Sequence, residues 1–145
     1  MEIVIRVTAS RVTTVQRAAM EIFLPHGGFA GYGLLGAEFV PDHSQYLTIQ
    51  VATGATSVRQ VNWALAALVD DVRVGLPDEY ADAVLKGAGG QELLSGGVLR
   101  FAWAAHGMVG SSPMIFLRLA TAVVRLISQN ATLLSDEELA ALLQL

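Results

Sequence analysis

Cysteine is absent from this chain of 145 residues, which removes disulfides, thiolate nucleophiles and cysteine-ligated zinc or iron–sulfur sites together. A chain without cysteine suits a reducing cytoplasm, and that is the expected location. Lysine is almost missing as well: Lys86 stands alone beside eight arginines, and no basic run occurs. At a net charge of −4 the chain lacks the clustered positive charge on which tight, autonomous binding to nucleic acid rests. Proline is limited to four residues, and no proline- or serine-rich linker, repeat or low-complexity tract divides the chain. One domain over 1–145 is expected. The longest apolar stretch, Met114–Ile127, is interrupted by Arg118 and Arg125 and is shorter than the roughly 20 residues needed to span a bilayer. The amino terminus has no charged start followed by an apolar block, so no secretory signal is expected.

Apolar residues are plentiful. They make up 53% of the chain against 15% charged residues, and the mean hydropathy is +0.51. Such a composition is oily for a soluble monomer. With membrane insertion disfavoured, burial against a second copy is the expected explanation, and a dimer is the expected assembly.

Alternation marks strands. Glu2–Thr8 places Ile3, Ile5 and Val7 on one face, and the pattern extends towards Thr14. Thr13–Phe23 reads equally as a short helix carrying Val15, Ala18, Ala19 and Ile22, or as a second strand. Glycine content predicts a loop over Pro25–Gly33. Leu34–Val40 and Tyr46–Ala52 read as strands joined by the turn Pro41–Ser44, which predicts a hairpin. Ser57 with Gln60 fits a capping box, and the spacing of Val58, Val61, Ala64, Leu65, Leu68 and Val69 predicts a helix behind it. A strand over Leu68–Val74 competes for its end.

Pro77 suits the start of a helix, with Asp78, Glu79 and Asp82 where the helix dipole favours negative charge. Tyr80, Ala83, Val84 and Gly87 form its inner stripe, and Gly87, Gly89 and Gly90 end it. Gly97–Ala105 reads as a strand. Ser112 then caps a helix from Pro113 to about Ser128, whose polar residues Arg118, Thr121, Arg125 and Ser128 fall on one narrow stripe. A second capping box at Ser135–Glu138 predicts a terminal helix over 135–144.

Groups with chemical potential have simpler roles at hand. His26 sits between Pro25 and Gly27 in the glycine loop, with no carboxylate or nucleophile close in sequence. Asp42 and His43 occupy a turn, where aspartate bonds its own backbone. His106, Ser111 and Ser112 invite comparison with a hydrolase, yet no G-x-S-x-G elbow exists and the serines stand where a helix needs a hydroxyl. The amino terminus at Ser111 and Ser112 is the best local candidate for an anion site. Three scattered histidines make no metal site, and no cofactor is expected. Trp63 and Trp103 fall inside apolar elements and are expected in the core.

Three strings in one order point to a kinship. They are Gly27-Gly-Phe-Ala-Gly-Tyr-Gly33, the segment Leu76–Gly87 with Pro77, Glu79, Tyr80, Ala83, Val84, Lys86 and Gly87, and Val109-Gly-Ser-Ser-Pro-Met-Ile-Phe116. They resemble, at the same spacings, the glycine loop, first helix and last helix of domain IV of translation elongation factor G, over about Gly27–Val124. The departures are Phe29 where the family has arginine, Gly110 where it has aspartate, and a shorter stretch between Gly87 and Ser111. Nothing matches the glycine-rich phosphate loop of a GTPase.

The resemblance implies an α+β fold of the ribosomal-protein type. This is a two-layer sandwich with one mixed sheet of about four strands, helices on one face and a left-handed βαβ crossover. It further implies that the contact surfaces are the loop tips, at Gly27, Gly28, Phe29 and Tyr32 and at His106 and Gly107. Neither tip carries lysine or arginine, so the RNA-contacting chemistry has not come with the scaffold. The expectation is a non-enzymatic binding domain whose partner is a ribosome or translation-factor protein. The alternatives are a homo-oligomeric module, and an enzyme or small-ligand protein on the same scaffold.

Overall fold

Strict alternation decides the first third of the chain. In a computed structural model, which describes residues 4–129 apart from 13, 14, 27, 28, 55, 58, 91–93 and 95, three long antiparallel strands come first. They are β1 (Val4–Val12), β2 (Val15–His26) and β3 (Phe29–Pro41). Of the two readings of 13–23, the strand is observed from Val15 onward, 13 and 14 lying outside the described residues. The helical alternative fails because Ala18, Met20 and Ile22 are buried on one face, whereas Glu21 turns to the other. Among the described residues the expected loop over Pro25–Gly33 is also replaced by strand, since β2 runs to His26 and β3 begins at Phe29. Glycine is needed in β3 for close approach. A Cβ on Gly33 would lie 2.8 Å from both Ile115 and Leu119 of the helix above it.

β4 (Leu47–Val51) and β6 (Gly97–Gly107) complete the main sheet in the order β1-β2-β3-β6-β4, and the short β5 (Val72–Val74) also pairs with β6. The sheet is thus mixed and six-stranded, where about four strands were expected. The predicted Leu34–Ala52 hairpin does not form. β6 lies between its two arms, antiparallel to β3 and parallel to β4, so that Phe39 and Ile49 both oppose Leu99.

A 3-10 turn at Asp78–Tyr80 leads into helix α1 (Ala81–Gly89), and α2 (Pro113–Ser128) follows β6. α2 has the predicted bounds, with the Ser112 hydroxyl accepting from Ile115 N–H at 3.3 Å and Pro113 in its first turn. It is buried on most sides, through Phe116, Leu119, Val123 and Ile127 among others. The main core lies between the helices and one sheet face, around Met20, Leu35, Phe101 and Phe116. The terminal helix expected over 135–144 lies outside the described residues.

Among the described residues of 57–69 no helix forms, which corrects the prediction. The segment runs alongside β5, with Ser57 N–H donating to Val74 O at 2.8 Å and Val61 N–H to Val72 O at 2.9 Å. The Ser57 hydroxyl bonds Arg59 O and Val74 N, not a helix amide. Ala64 and Ala66 join Tyr32, Val72 and Ala105 in a second, smaller cluster on the sheet face away from the helices.

The tryptophans are a further correction: both are half exposed. For Trp103 the cause is a register shift, in which Ala37 opposes Phe101 but Gly36 opposes Trp103. The extra residue, Ala102, reverses the alternation and turns the indole to the outer face.

Candidate functional site

The end of the sheet where β6 turns into α2 gathers residues from all three strings. Tyr32 N–H donates to Gly110 O at 3.1 Å, and the Ser111 hydroxyl donates to Tyr32 O at 2.6 Å. The Tyr80 hydroxyl donates to Ser111 O at 3.2 Å, and its ring stacks on Phe116 with centroids 5.0 Å apart. The strings therefore meet as joints of one scaffold. Gly87 belongs to the same set, because a Cβ there would lie 2.3 Å from Leu117 O where α1 crosses α2.

Two buried carboxylates fasten the 61–71 segment to this end. Glu21, 2% exposed, accepts from the Tyr32 hydroxyl at 2.6 Å and from Leu65 N–H at 2.9 Å. Arg6 stands 3.2 Å from its other oxygen, an ion pair without the alignment of a hydrogen bond. Burial first, and then the bond to Glu21, hold the Tyr32 phenol far above its ordinary pKa. Asp70 accepts from Val109 N–H at 3.1 Å and Gly110 N–H at 2.8 Å, while Met108 N–H donates to Asp71 O at 2.9 Å.

The sequence-derived site residues divide accordingly. Gly27 and Gly28 lie outside the described residues, and Phe29 opens β3, paired with His26. Tyr32 is fully buried beneath the tip. His106 is buried, its Nδ1 2.8 Å from Gly75 O. Gly107 N–H donates to the Ser111 hydroxyl at 2.9 Å, and a Cβ there would strike Asp70. The Ser111 and Ser112 hydroxyls both bond main chain, and the nearby amides of Val109 and Gly110 already hold an internal carboxylate.

Asp42 accepts from Ser44 N–H at 2.8 Å, as an aspartate in a turn does, and these Ser44 bonds lower its pKa. Among the described residues no group of three or more metal-ligating side chains occurs. No described helix is long and apolar enough to cross a membrane.

With its backbone donors engaged internally, the tip offers side chains. Met108, Val109 (69% exposed) and Met114 project from the turn and the start of α2. Leu68 (100% exposed) and Val69 are exposed on the segment that Asp70 ties to Val109 and Gly110. Sequence reasoning placed a tip at His106–Gly110 but missed Asp70, Leu68 and Val69. Their approach depends on a contact across 40 positions.

No family model and no curated protein matches the chain. Among solved structures, a crystal structure of a protein from Thermus thermophilus superposes with a TM-score of 0.55 at 16% identity. The alignment covers 90% of this chain and 18% of that one, so the chain spans under a fifth of the protein it matches. At that identity the likeness concerns the fold.

Proposed function

We propose that this protein is a non-enzymatic binding domain that meets a protein partner through the apolar tip formed by Met108, Val109, Met114, Leu68 and Val69. The observation that carries the reading is the exposure of these five side chains on the β6–α2 turn, whose amides are already satisfied, on the start of α2 and on the segment that Asp70 ties to the turn. An exposed apolar cluster of this kind marks an interaction surface. Its chemistry favours a protein over phosphate, since Met108, Val109 and Gly110 bring no cation.

By resemblance to domain IV of elongation factor G, the partner belongs to the ribosome or its factors, the setting is cytoplasmic, and the β4–α1–β6 crossover is left-handed. An enzymatic reading would need His106, Ser111 and a carboxylate facing a substrate; here His106, Ser111 and Asp70 all bond main chain. Sedimentation of the purified protein with ribosomes at low and at moderate salt tests the proposal. Co-sedimentation that persists at moderate salt is expected of an apolar contact. Its absence at both salts removes the ribosome, and light scattering then shows whether the tip joins two copies instead.

A further inference from the structure

We propose that a cleft along the edge of β6, between the ends of β4 and β5, binds an uncharged aromatic small molecule carrying a hydrogen-bonding group. The cleft holds about 450 Å³, within the range of small-molecule sites. Both tryptophans of the chain line it, Trp63 at 47% and Trp103 at 46% exposure, although they come from segments 40 positions apart. Among the described residues neither indole stacks on another ring, and about half of each side chain is exposed.

The topology explains why a hollow exists here. β4 runs parallel to β6 and β5 antiparallel, so their carboxyl ends approach each other along one edge of β6. β4's pairing reaches Ala52 N–H to Phe101 O, at 2.9 Å, and β5's reaches Gly75 N–H to Ala104 O, at 2.8 Å. The cleft opens over the residues left between, Ala102 and Trp103. Gly54 and Gly75, at φ of 84° and 112°, turn the two strands away, and buried Leu76 lines the hollow between them. Gly54 N–H to Leu76 O at 3.0 Å and His106 to Gly75 O fix the walls, so the site is formed in advance.

Charge selects the occupant. Among the described residues no ionisable side chain lines the cleft, and a charged ligand would be desolvated without a partner among them. Among the described residues, the hydroxyl of Thr53 and the two indole N–H groups are the side-chain hydrogen-bonding groups of the lining, which suits a ring with one polar substituent or ring N–H.

Indole, with indole-3-acetate and tryptamine as its anionic and cationic counterparts, provides the test. The ¹⁵N-labelled protein shows one indole N–H signal from each tryptophan, assigned with Trp63→Phe and Trp103→Phe. Addition of indole is expected to move both signals along one saturable curve, with the charged probes roughly tenfold weaker. Trp103→Ala is expected to weaken indole binding by about tenfold, and the wild-type titration decides alone if that variant does not fold. Signals that stay still, a shift of one signal only, or equal binding of the charged probes would overturn the proposal. So would signals that move on dilution without probe, which would assign the cleft to a second copy of the chain.

Discussion

Gly87 sits where the two helices touch, and the hydrogen in place of a side chain lets Leu117 O come within 2.3 Å of where a Cβ would be. Gly87→Ala must push α1 off α2, at a cost of about 1–3 kcal/mol or more. Two residues on, a Cβ on Gly89 would meet, among the described residues, only Ile49, at 4.0 Å, so Gly89→Ala is expected to be neutral or to stabilise by up to about 1 kcal/mol. Urea midpoints for the pair separate the cases, and equal losses would contradict the packing. Tyr32 makes a prediction in pH. Its folded-state pKa is raised, chiefly by burial and then by Glu21, so the folded chain favours the protonated phenol. The associated stability is complete below the ordinary tyrosine value of 10.0 and is lost as pH rises past it. The urea midpoint of the wild type should fall between about pH 9 and 11. Tyr32→Phe should start lower by about 1–3 kcal/mol, having lost the bond to Glu21, and should fall less steeply.

Elements with punctuation at both ends could be read from residues. α2 announces itself by Ser112 and Pro113, and α1 by Pro77 and the closing glycines; a cap is a local event between neighbours. What escaped depends on distant partners. The sequence 57–69 has helical spacing, yet its amides find Val72 and Val74, and a capping serine is diverted to the same strand. No local pattern reveals that β6 will part β3 from β4, or that one extra residue will turn Trp103 outward. The tip is half legible for the same reason: Met108 and Val109 follow a readable strand, whereas Leu68 and Val69 arrive through Asp70. Asp70→Ala tests that fastening. It leaves two amides without their carboxylate, so stability should drop by about 1–3 kcal/mol, with amide exchange at Val109 and Gly110 accelerating most. Uniform acceleration across the sheet would argue against a local clasp.

At the scale of the molecule, one mixed sheet carries two helices on one face and an irregular cover on part of the other. The strings that resemble the translocase domain meet at joints of that architecture. The exposed side chains at the β6–α2 turn are apolar. The most direct test is co-sedimentation with ribosomes of the wild type beside Met108→Glu/Val109→Glu, two exposed positions whose change should leave the urea midpoint within about 0.5 kcal/mol. The account predicts salt-tolerant binding by the wild type and a loss of roughly tenfold or more in the variant. Wild-type binding that collapses with modest salt, and that the variant retains in full, would contradict it.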